Sequence, residues 1–126
     1  LRLRLRNEPG LLVAAINGFI AVAAGAFGAH GLQSRLDAHA LQTFETAAQY
    51  QMYHALAIGL AALIARSSVV TLSCALFLAG IILLSGSLYL LALTGARAFA
   101  LITPFGGLAF LAGWAALAYA AIRANH

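Results

Sequence analysis

The sequence predicts an all-α integral membrane protein: a four-helix antiparallel bundle, with an interfacial amphipathic helix between the first two spans. Three observations lead there. Apolar residues make up 63% of the 126-residue chain and charged residues only 8%, far from the roughly 25% charge of soluble domains, so no water-facing exterior can be assembled from it. Four stretches approach the ~20 residues that cross a bilayer as helix, the form in which a backbone satisfies its own hydrogen bonds in hydrocarbon. Short polar connectors separate them, so successive spans alternate in direction.

The first span covers residues 11–29. Ala14, Gly18, Ala21, Gly25 and Gly28 recur at steps of three and four, a small-residue seam that lets another helix come close. The basic segment before it, LRLRLRNEPG, reads as a tail at the membrane surface. Together with Ala24-Gly25-Ala26 it would also suit a cleaved leader, but the seam is a reason to keep the segment. Asn17 is read as an interhelical hydrogen bond.

Gly31 is a natural stop for this helix and Asp37 an N-cap for the next. Residues 36–48 place Leu41, Phe44, Ala48 and Met52 on one face and Gln42, Glu45, Thr46, Gln49 and Tyr53 on another, which predicts the amphipathic helix in the interface. Arg66 ends the following apolar run, and counting back ~20 residues puts the second span at 46–65. That span has to take Gln49, Tyr53 and His54 into the bilayer.

The third span covers 69–93 and closes at Thr94-Gly95. Thr103-Pro104 then reads as N-cap and first helical residue of the fourth, 104–123, in which Gly113 is a packing position and Trp114 a packing residue.

Charge excludes one function class. The net charge is +4, but all seven basic residues are scattered arginines, Arg2, Arg4, Arg6, Arg35, Arg66, Arg97 and Arg123; they form no basic face, so no nucleic acid is expected. Five of the seven lie on the side of the termini, which predicts cytoplasmic termini in a cell inner membrane. Cys74 is the only cysteine, so an internal disulfide and a cysteine-based zinc site are ruled out. Antiparallel order gathers His30, Glu45, Gln49, Tyr53, His54, Ser85, Ser87, Tyr89 and Thr103 in one half of the bundle as a candidate polar cluster.

The blocks GAFGAHGL (25–32), FETAAQYQMYHAL (44–56), SGSLYLLALTG (85–95) and TPFGGLAFLAGW (103–114) resemble the family of small membrane proteins known as domain of unknown function 423, itself similar to the eukaryotic transmembrane protein 256. The resemblance runs from about residue 11 to 122. It implies a four-helix bacterial inner-membrane protein, and no activity, substrate or cofactor.

The leading functional expectation is a structural or accessory bundle that packs in the lipid bilayer with itself, as a homo-oligomer, or with a membrane-protein partner. The alternative is a small-solute or proton-coupled transporter using a cavity around His54 and Glu45, since ionisable groups inside a membrane are costly. A haem or metal site built on His30, His39 and His54 lacks any standard ligand spacing. Ser85 and Ser87 flank Gly86 without a Gly-x-Ser-x-Gly motif or a His-Asp pair. No catalytic residue, metal or cofactor is therefore assigned, and no enzyme activity is expected.

Overall fold

The computed structural model describes residues 8–64 and 67–123. Residues 1–7 of the basic tail and the expected end of the second span at residues 65 and 66 lie outside them, whereas Glu8, Pro9 and Gly10, expected in the tail, form the first turn of the first helix. Helices α1 (Glu8–His30), α2 (Ala38–Ile64), α3 (Ser68–Gly80), α4 (Gly86–Thr94) and α5 (Thr103–Arg123) follow in order, with a π-helical turn at Ile81–Ser85 and a 3-10 turn at Arg97–Leu101. No strand occurs among the described residues. Through the π turn, α3 and α4 form one continuous rod, so four helices pack together.

Three stretches, Pro9–His30, Ser68–Thr94 and Arg97–Arg123, are long and apolar enough to cross a membrane. The expected second span is not among them, because α2 carries Gln49, Tyr50, Gln51, Tyr53 and His54 through its middle. Around the outside, Phe19 is 77% exposed, Leu101 75% and Leu111 68%, an arrangement suited to an apolar solvent.

The amphipathic stretch runs without a break into the expected second span: residues 38–48 are the first turns of α2, capped where Asp37 Oδ1 accepts from the Ala40 N–H at 2.8 Å. Phe44, on the apolar face, is buried against Gly28 of α1 and the Tyr89 ring of α4, 5.0 Å between centroids. At 3.6 residues per turn the face of α1 that meets α2 runs through Ala14, Asn17, Ala21 and Gly28, all buried. Gly18 and Gly25, expected in that seam, lie to one side, where a Cβ would have nothing within 4 Å.

The expected third helix is present as the one rod Ser68–Thr94, with a π turn where α5 presses on it. Gly106 of α5 is set directly against the Leu84 backbone, the Phe110 ring fills the space over Gly80, and the Phe77 ring fills the space over Gly113, where a Cβ would stand 2.7 Å from the ring. Within the widened turn the Gly86 N–H reaches back to Ile81 O. The main core joins Ala14, Ala57, Ile58, Phe77, Ile81, Leu84 and Phe110.

Gly95 ends α4 with φ of +73°, its N–H donating to Leu91 O at 2.8 Å. This is the left-handed conformation that glycine adopts without a Cβ penalty. Gly95→Ala is expected to cost about 1 kcal/mol, measurable as a lowered unfolding midpoint in detergent. α5 begins one residue earlier than expected, at Thr103 itself, and the Thr103 hydroxyl is engaged by Ser87 rather than serving as a cap.

Candidate functional site

The buried polar side chains and their half-buried or exposed partners form three hydrogen-bond chains, and the donor inventory fixes the direction of each. In the first, Asn17 Nδ2 donates to Val13 O at 2.9 Å. A carbonyl only accepts, so Asn17 turns its Oδ1 toward α2, where Gln51 Nε2 donates to it at 3.1 Å. Gln51 Oε1 is thereby left to accept from the Tyr89 hydroxyl at 2.8 Å. The order is Tyr89 to Gln51 to Asn17 to Val13 O, and it ties α4, α2 and α1 together.

In the second chain, Trp114 Nε1 lies 3.1 Å from His54 Nε2. The indole N–H can only donate, so Nε2 is unprotonated and His54 carries its proton on Nδ1, which donates to Tyr50 O at 2.8 Å. A second ring proton would set two N–H donors against each other. The imidazole also stacks on Phe110, 3.5 Å between centroids and 7° from parallel, so α2 is joined to α5 by both a bond and a ring face. Trp114 thus packs edge-on against Phe77 at 4.9 Å and is a hydrogen-bond partner as well.

The third chain lies where the α3–α4 rod meets the start of α5. Ser87 Oγ donates to Leu84 O at 2.9 Å and is in contact with Thr103 Oγ1 at 2.6 Å. Since Ser87 has only one proton, Thr103 donates to it. Beside these chains, Ser73 Oγ donates to Gly113 O at 2.9 Å. Ser85 is buried without a partner for its hydroxyl.

The expected cluster is therefore partly assembled and partly dispersed. His54, Ser85, Ser87 and Tyr89 are inside or half-inside, and Thr103 meets Ser87. His30, Glu45, Gln49 and Tyr53 are exposed and join none of the chains. Nor are the polar groups confined to one half: Gln51 is the central residue of α2, and Trp114 lies one residue past the centre of α5. Asn17, Gln51 and Trp114 were absent from the expected cluster. The signal for Gln51 lay in the heptad spacing Phe44, Gln51, Ile58, which places it on the buried stripe rather than with Gln49.

A cleft of 690 Å³ opens between α2 and α5, walled by Tyr50, Tyr53, Pro104, Leu108, Leu111 and Trp114. Both His54 nitrogens are already engaged where the ring reaches it. Among the described residues no three His, Cys, Asp or Glu side chains come together as metal ligands would; His30 and His39 are exposed, far in character from the buried His54.

A family model described as a protein of unknown function, DUF423, matches residues 24–107, two thirds of the chain. The chain belongs to the DUF423 family. Its relatives include the UPF0382 inner membrane protein YgdD of Escherichia coli K12, 50% identical over 116 residues that cover 90% of this chain and 88% of the relative. The UPF0382 membrane protein YwdK of Bacillus subtilis is 42% identical over 118 residues, 90% and 95% of the two chains. A UPF0382 membrane protein of Staphylococcus aureus is 43% identical over 115 residues, 90% and 94%. No solved structure matches. This is a membrane protein of a family without an assigned activity, and the DUF423 match takes in Gln51, His54, Ser87, Tyr89 and Thr103 while leaving Asn17 and Trp114 outside it.

Proposed function

We propose that this DUF423 protein is a structural membrane protein, an antiparallel four-helix bundle in the inner membrane that packs against its own kind or another membrane protein. α2 is its fourth span, packed against three more apolar ones that bury its Gln51 and His54 side chains. Five of the seven arginines on the terminal side support cytoplasmic termini.

The observation that carries this reading is the way the three chains end. Each runs from a donor to a main-chain carbonyl, Val13 O, Tyr50 O or Leu84 O. A carbonyl can receive a hydrogen bond but cannot take a proton and pass it on. Such chains hold helices together and do not relay protons, because a relay needs members that accept and release in turn. His54, the natural carrier, has one nitrogen accepting from Trp114 and the other donating to Tyr50 O, with neither left for a carboxylate.

Reconstitution tests this directly. In liposomes holding a pH-sensitive dye, an imposed pH gradient is expected to decay at the rate of protein-free vesicles. A faster decay that His54→Phe abolishes would make the protein a proton carrier and end the structural reading.

A further inference from the structure

Gln49 is the polar side chain that the fold leaves in the wrong solvent. Gly28 of α1 faces Phe44 of α2, and Ala14 faces Gly59, so the two helices run antiparallel and the stretch 44–59 lies beside the middle of the span Pro9–His30. Gln49 and Tyr53 are thus at hydrocarbon depth. At about 100° per residue each lies roughly 160° around α2 from the buried Gln51, on the outward face. Both are exposed, and neither side chain has a hydrogen-bond partner among the described residues. An amide facing lipid tails has nothing to bond.

The adjoining surface of α1 is bare. Val13 and Ala24 pack against the two cores, which include Phe77, Ile81, Leu84 and Ala92 of the α3–α4 rod, and right-handed winding of two antiparallel helices then turns Gly18 and Gly25 to the same side as Gln49. A Cβ at either glycine would meet nothing within 4 Å. We infer that this α1–α2 face is the surface through which two copies of the chain associate, with Gln49 bonding to Gln49 across the twofold axis.

The occupant follows from the chemistry of the amide. It is donor and acceptor at once, hence its own complement, and two copies inserted in the same sense about an axis along the membrane normal bring Gln49 opposite Gln49 at one depth. Gly18 and Gly25 let the backbones approach. Glu45, on the same side of α2, lies one turn nearer the helix start, where water screens the like charge opposite it. The inference rests on the structural reading above and on α2 crossing the membrane.

Leu56, exposed and seven residues beyond Gln49 on the same face, reports the contact without removing the amide. In native membranes, Leu56→Cys in a Cys74→Ser background is expected to oxidise to a species of twice the 13.0 kDa chain mass. Leu111→Cys on α5 is expected to give about a tenth as much or less. Adding Gln49→Leu, or Gly25→Leu, is expected to weaken the dimer about tenfold while leaving the unfolding midpoint of the monomer in place, since both sites are open in the monomer. Equal cross-linking at Leu56 and Leu111, indifference to both substitutions, or a monomeric wild-type protein would overturn the dimer. A cross-link to a protein of another mass would overturn it too, yet leave the structural reading standing; proton flux through an intact dimer would do the reverse.

Discussion

Gly106→Ala is expected to destabilise the protein by about 3 kcal/mol, the upper end of what overpacking a well-filled contact costs. A Cβ at Gly106 would stand 2.6 Å from Leu84 Cβ and 2.8 Å from Leu84 Cα, besides meeting the Leu84 amide nitrogen. Backbone cannot swing away as a side-chain tip can. α5 would have to lift from the π turn, and the bond from Thr103 to Ser87 and the seating of Phe110 over Gly80 would go with it. Alanine at Gly107, where a Cβ would be 3.9 Å from Leu84 Cδ1, is the control and is expected to be neutral within about 0.5 kcal/mol. Denaturant unfolding in mixed micelles reads both.

His54→Ala is expected to cost about 3 kcal/mol, and His54→Phe about 1. Alanine leaves a cavity between Phe110, Phe77 and Trp114 in the centre of the ring cluster as well as an indole N–H without its acceptor. Phenylalanine keeps the ring face on Phe110 and loses only the two hydrogen bonds. Trp114 is the sole tryptophan, so its fluorescence reports the change. Both variants are expected to shift its emission, and only alanine is expected to lower the midpoint strongly. A strong loss in His54→Phe would mean that the imidazole has a role that packing and these two bonds do not cover.

Much of this fold was legible in the sequence because lipid simplifies the rules. Length and apolarity locate helices α1 and α5 and the α3–α4 rod, and Asp37, Gly31 and Gly95 mark ends where expected. The π turn was not legible, since it arises from the pressing of Gly106 and Phe110 of α5 on a segment, Gly80 to Ser85, whose own sequence reads as plain helix. The amphipathic pattern in 36–48 was legible, but not that its apolar face, through Phe44, meets α1 and α4.

The polar site was harder to read. Membrane side and antiparallel order bring the right helices together, but they do not say which way a side chain turns. Gln49 and Gln51 differ by two residues, about 200° of helix. One faces out and the other is central to the core. Only the phase of the buried stripe through Phe44 and Ile58 distinguishes them. Asn17 makes the interhelical hydrogen bond expected of it, and only its partner was not legible, because the long Gln51 side chain that reaches it from α2 turns opposite to Gln49.

Tyr89, Gln51 and Asn17 are closed on one another and hold α4, α2 and α1 together. Unfolding free energies of Asn17→Leu, Gln51→Leu, Tyr89→Phe and the combined triple variant test it most directly. Removing Gln51 alone strands the Asn17 oxygen and the Tyr89 hydroxyl, so that single change is expected to cost about 2 kcal/mol. With all three partners apolar nothing is stranded, and the triple variant is expected to fall about 1 kcal/mol below the wild type, far less than the three single losses added together. Cheap single substitutions that simply add would contradict the claim, because they would mean that Tyr89, Gln51 and Asn17 do not depend on one another.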